Sequence, residues 1–131
     1  MTGFAQSIDS WARMSQLRME AVFKQAAQDV AEAVQTPKAK SGRMPVDTSY
    51  LRNSFGGAVN SFPSGDGNAP FSMTPIIAAI IQARLGDRIV FGWSANYAVY
   101  MEAENAFVRA NAQKWPQFVR GAVTTVRSQY R

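Results

Sequence analysis

Two carboxylates, Glu102 and Glu104, are the natural starting point for chemistry because they are the closest acidic pair in the sequence, with Asp87 as a further candidate neighbour. Paired carboxylates can hydrolyse a glycosidic bond or hold a divalent cation. The alternative is structural, because acidic residues at a helix entry stabilise its first turn, and a helix is predicted to begin near Asn105. We favour the structural interpretation.

Nucleophilic catalysis lacks its usual partners in this chain. The sequence contains no histidine and no cysteine, so the commonest general base, the usual zinc ligands and thiolate chemistry are missing. Ser49, Ser54 and Ser94 therefore have no histidine partner, and no Ser-x-x-Lys motif replaces one. We expect no enzymatic activity, no bound metal and no cofactor.

Basic and aromatic residues near the C-terminus raise the alternative of nucleic-acid binding. Cations could meet phosphates, and aromatic rings could stack on bases. However, Trp115 continues the apolar stripe of a predicted helix, so we assign it to the core, and no helix-turn-helix or RNA-binding signature is present. Residues 105–131 contain no acid; their cations are Arg109, Lys114, Arg120, Arg127 and Arg131, with Phe118 and Tyr130 among them.

The composition is typical of one globular domain. The chain has 131 residues, of which 47% are hydrophobic and 18% charged, so it can bury a core. No apolar run approaches the roughly 20 residues that span a bilayer, and the first residues lack the pattern of a secretory signal. The net charge of +5 is unevenly distributed. That pattern suits head-to-tail contacts between copies or a surface facing a polyanion, and equally a solvated helix face.

A long helix over residues 5–36 is the first element that the pattern predicts. Its apolar residues recur at steps of three and four, Glu20 and Lys24 can pair on one face, and Pro37 ends it. A second apolar side predicts a second neighbour, either within the chain or on another subunit. The main side comprises Ile8, Trp11, Ala12, Met19, Val22, Phe23, Ala26, Val30, Ala33 and Val34, and the second side Met14, Leu17 and Ala21.

The next segment is predicted to be a basic linker, residues 37–45, exposed and mobile because nothing in it can pack a core. A short helix then begins at Asp47, whose carboxylate caps it, and Gly56-Gly57 ends it. Residues 56–75 are rich in turn formers and predict a flexible loop with a strand at 58–62. The linker's cations, candidate contacts to a partner or to a DNA channel, are Lys38, Lys40 and Arg43.

The second half of the chain predicts a helix at 76–85 after Pro75, although its four isoleucines would also suit a strand. A strand at 88–93 follows, then a break and a short helical or extended run to Glu102. The last helix covers 106–129, is capped by Asn105, and is kinked or restarted at Pro116.

Together these elements predict an α+β fold. The long N-terminal helix and the C-terminal helix pack on a small, mainly antiparallel sheet, within a single domain of residues 1–131. Its segments in chain order are the long helix 1–36, the basic linker 37–45, the short helix, loop and sheet region 46–104, and the C-terminal helix 105–131.

Two short segments resemble motifs of a known family. The first is Pro45-Val46-Asp47-Thr48-Ser49-Tyr50-Leu51-Arg52-Asn53-Ser54, and the second is Tyr97-Ala98-Val99-Tyr100-Met101-Glu102. With the long first helix and Phe107-Val108-Arg109-Ala110 before the last one, they resemble the head–tail joining proteins (neck, tail-completion or minor tail components) of long-tailed bacteriophages. The likeness covers residues 10–126. Family members carry glycine where Ser49 stands and a further glycine after the glutamate, where this chain has Ala103.

The resemblance implies a structural virion protein without catalysis. Such proteins form a ring of six or twelve copies around the DNA channel at the head–tail junction, assembled in the host cytoplasm. Their partners would be further copies of the chain, the neighbouring neck or connector proteins, and the tail-tube or tail-terminator proteins. Non-specific contact with packaged DNA is expected, and contact with a membrane is not. The alternatives are a small basic nucleic-acid-binding module and a carboxylate-dependent hydrolase.

The motif residues would then do structural work. Leu51 and Phe55 would lie in the core, Tyr97 and Tyr100 would pack on the sheet, and Arg52 would pair with Glu102 to lock the two motifs together. The structural motif residues are Pro45, Val46, Asp47, Thr48, Leu51, Arg52, Tyr97, Ala98, Tyr100 and Glu102.

Overall fold

The predicted long N-terminal helix is the largest element of the fold. The computed structural model describes residues 2–129, so Tyr130 and Arg131 of the predicted basic tail lie outside the described residues. Helix α1 spans Thr2–Val34. The predicted ion pair joins Lys24 Nζ to Glu20 Oε1 at 3.0 Å, and the same ammonium donates to the carbonyl oxygen of Ile81 (2.7 Å). The buried residues of α1, all in its C-terminal half, are Ala26, Ala27, Ala31 and Val34.

The short second helix starts later than the sequence suggested. Helix α2 spans Tyr50–Asn53, and the residue before it is Ser49, whose φ is 70°. The Ser49 side chain makes no capping bond, and the N–H of Tyr50 donates to Thr48 Oγ1 (3.4 Å) rather than to Asp47, so the predicted capping role of Asp47 is wrong. Leu51 is buried, as predicted.

Two antiparallel strands form the sheet. Strand β1 spans Phe55–Val59 and β2 spans Ile89–Trp93, paired from Phe55 opposite Trp93 to Val59 opposite Ile89. The prediction that Gly56-Gly57 ends a helix is wrong, and the predicted strand at 58–62 overlaps β1 only partly. A Cβ on Gly57 would lie 3.2 Å from the ring of Phe91, so close aromatic packing explains a glycine here that the local sequence presents as a helix terminator.

Helix α3 spans Thr74–Gln82, with Pro75 in its first turn and Ile76 and Ile80 buried. Of the two structures left open for this segment, the helix is therefore the one observed. Its apolar face completes the first core, which joins α1, α3 and the sheet. The buried members of that core are Ala27, Ala31, Val34, Phe55, Ile76 and Ile80, with Val30, Phe71, Met73, Ile89, Phe91 and Trp93 packed around them.

The turn between α3 and β2 is organised by one carboxylate. Asp87 accepts a hydrogen bond from the backbone N–H of Arg84 (2.8 Å) and another from the Asn60 amide (3.1 Å). These two bonds lower the pKa of the Asp87 carboxyl, the Arg84 bond more than the Asn60 bond. Asp87 lies at the end of the sheet away from Trp93, so it is not a neighbour of Glu102.

Because the pKa of Asp87 is lowered in the folded chain, its stabilising effect is present at neutral pH and is lost as the pH falls through the lowered value. We expect Asp87→Asn to be less stable than the unmodified chain at pH 7 and equally stable in acid. Urea unfolding of both proteins across this range measures the difference, and a constant difference at every pH would contradict the assignment.

Three helices complete the described range; the first ends at Asn105, so two helices follow that residue where one was predicted. Helix α4 spans Ala98–Asn105, α5 spans Arg109–Ala112 and α6 spans Trp115–Gln129. Asn105 does not cap a following helix, since its side-chain amide donates to the carbonyl oxygen of Met101 (3.0 Å). The restart at Pro116 is confirmed. Trp115 was assigned to the core, but 38% of its surface is exposed.

The predicted α+β class is confirmed, with α6 packed along α1 more extensively than any other pair of elements. Ala122 and Val126 of α6 are buried. Among residues 2–129, none of the helices combines the length and apolar character that a bilayer span requires.

Candidate assembly interface

The two motif segments meet in a second hydrophobic core. Trp93 connects the two cores. The centre of its ring lies 4.7 Å from the centre of the Phe55 ring, in the first core, and 5.0 Å from the centre of the Phe107 ring, in the second. The ring centres of Tyr50, in the first motif, and Tyr97, in the second, lie 6.3 Å apart. The buried members of this second core are Met44, Leu51, Ala95 and Phe107, with Trp93, Tyr97, Ala98, Met101 and Val108 packed against them.

Ser54, at the end of the first motif, forms hydrogen bonds with residues 94–95, which precede the second motif. Its buried hydroxyl donates to the carbonyl oxygen of Leu51 (2.7 Å) and accepts from the N–H of Ala95 (3.2 Å). The N–H of Ser94 donates to the carbonyl oxygen of Ser54 (3.1 Å). The Ser54 hydroxyl therefore uses its donor and an acceptor position on backbone groups of both segments, and no general base lies among its hydrogen-bond partners.

Gln35, which the sequence patterns did not single out, holds α1 to both motif regions. Its side chain is 1% exposed; it donates to the carbonyl oxygen of Arg52 (2.8 Å) and accepts from Trp93 Nε1–H (2.8 Å). Arg52 Nε in turn donates to the Gln35 carbonyl oxygen (2.9 Å). The only available signal was that position 35 continues the step-of-four row of Ala27 and Ala31, so a polar residue stands where a core residue belongs.

The predicted ion pair between Arg52 and Glu102 is wrong. Arg52 binds the carbonyl at the end of α1, and its guanidinium carbon lies 4.8 Å from the centre of the Phe71 ring. The carboxylate of Glu102 accepts from the N–H groups of Val108 (2.8 Å) and Arg109 (3.1 Å). Each charge thus meets a helix end of the opposite polarity. The structural interpretation of Glu102 as a helix-entry residue is confirmed.

A concave surface, which we call the motif pocket, opens where the two motifs meet. Its volume is about 180 Å³, and its lining residues are Pro45, Asp47, Thr48, Ser49, Tyr50, Leu51, Tyr97 and Met101. Val46 is exposed beside it, next to Pro45 and Asp47. Tyr100 was predicted to pack on the sheet but is 70% exposed; it lies one helical turn after Tyr97, on the same side of α4. Most motif residues therefore line or border one surface, which combines tyrosine and aliphatic side chains with the polar residues Asp47, Thr48 and Ser49.

The backbone is strained at the edge of this pocket. Ser49 adopts a left-handed conformation with φ of 70°; the other non-glycine residues of positive φ within residues 2–129, Ser41, Asn60 and Ala106, do not line this pocket. A residue with a Cβ is disfavoured in this region, and such strain tends to occur at sites that bind or switch. Glycine, which the family resemblance places at position 49, would adopt the observed turn without this cost.

We therefore expect Ser49→Gly to raise the free energy of unfolding by about 0.5–1 kcal/mol, since the relief of strain exceeds the added entropy of the unfolded chain. Ser49→Ala is the matched control: the Ser49 side chain makes no capping bond, so this variant should stay within about 0.5 kcal/mol of the unmodified chain. Equilibrium denaturation measures both. A destabilised Ser49→Gly would contradict the presence of strain at this turn.

The segment 37–45 was predicted to be an exposed mobile linker, but residues 36–44 form a closed loop that we call the basic loop. Met44 is 0% exposed and anchors it in the second core. Backbone bonds run from Lys38 N–H to the Met44 carbonyl and from Met44 N–H to the Thr36 carbonyl, both 3.1 Å. The three predicted contact residues, Lys38, Lys40 and Arg43, are exposed on this loop, and none forms an ion pair with another residue of the range 2–129. An open groove of about 440 Å³ separates part of the loop from Glu104.

A second exposed surface is the N-terminal half of α1, residues 4–19, which we call the α1 arm. Ile8, Trp11 and Met19 were predicted to pack, yet they are exposed, and Trp11 is 72% exposed. The second apolar side is also uncovered at Met14 and Leu17. A fully exposed aromatic side chain has about 150–250 Å² of surface. Since six large apolar side chains of the arm are roughly half exposed or more, the arm presents on the order of 600 Å² of apolar surface. The exposed apolar residues are Phe4, Ile8, Trp11, Met14, Leu17 and Met19.

Comparisons with known proteins assign no family. No family model matches the chain, and no curated protein or solved structure matches it significantly. Function must therefore be inferred from the residues and surfaces of this chain.

The α1 arm and the motif pocket are surfaces of a kind that docks other proteins. Within residues 2–129, no three acidic side chains are grouped so that they could hold a metal ion, and both oxygens of Glu102 are occupied by backbone N–H groups. An apolar patch of several hundred Å² on one helix and an aromatic-rich pocket are features of protein interaction sites.

Proposed function

We propose that this chain is a structural protein of the phage neck, which joins the capsid connector to the tail as one subunit of a ring around the DNA channel. The observation that carries the proposal is the convergence of the two motifs. Although more than 40 residues separate them in the sequence, they build one core and one pocket. They therefore act as a unit that presents an interaction surface.

The strained turn at Ser49 supports the same interpretation. The family motif carries glycine at this position, and the turn has the positive φ that favours glycine. The first motif of this chain thus adopts the backbone conformation for which the family's own residue is best suited. A chance match of residue types would not require this agreement.

The α1 arm supports assembly from several copies. Monomeric soluble proteins rarely expose a continuous apolar patch larger than about 300–600 Å², and the arm reaches this limit on a single helix. A ring of identical subunits requires two different surfaces on each copy. The arm and the motif pocket supply two such surfaces.

Quantitative mass spectrometry of purified virions tests the proposal. The chain should be present in virions of the phage that encodes it, at six or twelve copies per particle, when counted against a connector protein of known copy number. Its absence from purified virions, with presence only in the soluble lysate, would refute a structural role.

The basic loop favours a second candidate, a small nucleic-acid-binding module. The exposed cations Lys38, Lys40 and Arg43 are held on a closed loop rather than on a freely moving linker, so they could meet phosphates at low entropic cost. The predicted DNA-channel role in the neck would use the same residues.

If the basic loop contacts DNA, replacing its three cations with alanine should weaken duplex binding and reduce the slope of log K against log salt by about 0.9 for each phosphate that is no longer neutralised. Replacement of Arg109, Arg120 and Arg127, which are exposed elsewhere, is the charge-matched control. Fluorescence anisotropy at several salt concentrations measures the slope. Equal effects in both triple variants would mean that binding follows net charge and not the loop.

A further inference from the structure

The two exposed apolar surfaces of this chain differ in shape. The α1 arm is convex, since its side chains project from a single helix, whereas the motif pocket is concave. Tyrosine, proline, leucine and methionine form one part of its lining, and Asp47, Thr48 and Ser49 form a polar edge. Aromatic residues and methionine are enriched at the centres of protein interfaces, and tryptophan is the commonest residue with a dominant contribution. Trp11 is the largest side chain on the arm.

The arm and the pocket lie at opposite ends of the molecule. The Gln35 side chain, just after α1, binds the carbonyl of Arg52, whose neighbour Leu51 lines the pocket. Trp11 lies 24 residues before Gln35, which is about 36 Å along a helix with a rise of about 1.5 Å per residue. An unbroken helix holds the two surfaces apart, so the arm of one chain cannot reach its own pocket.

The charges on the arm leave its apolar face available for docking. Asp9 and Arg13 form an ion pair with each other at 2.8 Å. Asp9 is two residues before Trp11 and Arg13 is two residues after it. Because each residue turns the helix by about 100°, both side chains point about 200° away from Trp11 around the helix axis. The exposed ion pair therefore lies on the opposite face from Trp11, and burial of that face does not require burial of this pair.

A second copy of the chain is the occupant that covers both surfaces at once. Contact between two arms would leave both pockets open, whereas contact between an arm and a pocket covers one surface on each partner and repeats in the next copy. The arm's surface, on the order of 600 Å², is close to the roughly 800 Å² that each partner contributes to a standard interface.

We propose that neighbouring copies associate head to tail, with Trp11 on the arm of one copy seated in the motif pocket of the next. This inference rests on the proposed function and names the surfaces that join the subunits of the ring. It also gives the two motifs a role, since together they form the receptor for the arm. The strained turn at Ser49 belongs to that receptor.

Disulfide cross-linking tests the pairing without background, because the chain has no cysteine. Ser7 lies one turn before Trp11 on the arm, and Val46 borders the pocket; both are exposed. The protein carrying both Ser7→Cys and Val46→Cys, oxidised mildly, should give a ladder of covalent oligomers on a non-reducing gel. Each single variant should stay monomeric, and a mixture of the two single variants should stop at the dimer.

Other patterns overturn the pairing. Covalent dimers from Ser7→Cys alone would show an arm-to-arm contact instead. A ladder of equal intensity when Ser7→Cys is combined with Thr124→Cys on α6, in place of Val46→Cys, would show non-specific collision. If mass photometry finds a discrete ring but the double variant does not cross-link, the ring uses other surfaces; the head-to-tail contact then fails while the proposed neck function stands. Cross-linked rings from a chain that is absent from virions would mean the opposite, that the contact exists and the neck function fails.

A tryptophan pair provides the energetic test. Trp11→Ala should weaken self-association at least about 30-fold, as expected for an anchor residue, without a change in thermal midpoint, because the side chain is exposed in the single chain. Trp115→Ala, on α6, removes a partly exposed tryptophan outside both surfaces and should change association less than about threefold. Sedimentation velocity over a concentration series measures both. Equal effects would overturn the role of Trp11.

Discussion

Phe107→Ala is expected to lower the free energy of unfolding by about 4 kcal/mol, within the range for a fully buried phenylalanine. Phe107 is 1% exposed and packs its ring edge-on against Trp93 at 5.0 Å. It lies in the second core, so its removal leaves a cavity between Met44, Leu51 and Ala95. These residues lie in the basic loop, in the first motif and just before the second motif, respectively, so all three segments should loosen together.

Equilibrium unfolding in urea, followed by tryptophan fluorescence, measures this effect. Phe62→Ala is the matched control, because Phe62 is 93% exposed and the same atoms are removed from solvent; its change should stay within about 0.5 kcal/mol. A loss below about 1.5 kcal/mol for Phe107→Ala, well under the usual range, would mean that the second core is not closed as described.

Gln35→Leu is the second substitution with a large expected effect: it should lower the free energy of unfolding by about 3 kcal/mol. Leucine fills a similar volume, but it leaves Trp93 Nε1–H and the carbonyl oxygen of Arg52 without the partners they have at 2.8 Å. Each buried polar group that loses its hydrogen-bond partner lowers the free energy of unfolding by about 1–3 kcal/mol. This substitution leaves two such groups without a partner. The loss arises from polar groups at the junction of α1 with both motif regions, so it should occur although the substituted residue is more apolar.

Gln28→Leu is the control on the same helix. Gln28 donates to Glu32 at 3.4 Å on an exposed face, and its replacement should change stability by about 0.5 kcal/mol or less. A neutral or stabilising Gln35→Leu would show that the hydrogen bonds of Gln35 are dispensable. Loss of the hydrogen bond to Trp93 can be followed independently by the chemical shift of its indole N–H.

The parts of the fold that sequence predicted well are those with a strong local signal. Helix α3 follows from Pro75 and the spacing of Ile76 and Ile80, and β2 follows from a run of β-forming residues. The restart of α6 at Pro116 follows from proline geometry alone. In each case the residues that decide the element lie within a few positions of each other.

The parts that sequence missed depend on residues distant in the chain. Gly56 and Gly57 have the local pattern of a helix end, but they lie inside β1, where a Cβ on Gly57 would come within 3.2 Å of the ring of Phe91. Gln35 differs from any other polar residue near a helix end only through Arg52 and Trp93. No local pattern identifies such partners.

The candidate interface shows the same division. The motifs located the pocket, whereas the neighbour predicted for the second apolar side of α1 stays a prediction, since Met14 and Leu17 are exposed. Periodicity could not show that the large apolar side chains of the arm are exposed, because a helix has the same spacing whether its partner belongs to its own chain or to another. The Arg52–Glu102 pair failed because both charges bind helix ends, which the sequence had not located.

An in vitro joining assay tests the proposed neck function most directly. Lysates of the encoding phage, made with this gene deleted, are mixed with the purified chain, and electron micrographs give the fraction of filled heads that carry tails. We expect separate heads and tails without the chain, joining when it is added, and no joining with Trp11→Ala. Heads and tails that join equally well without the chain would contradict the proposed function.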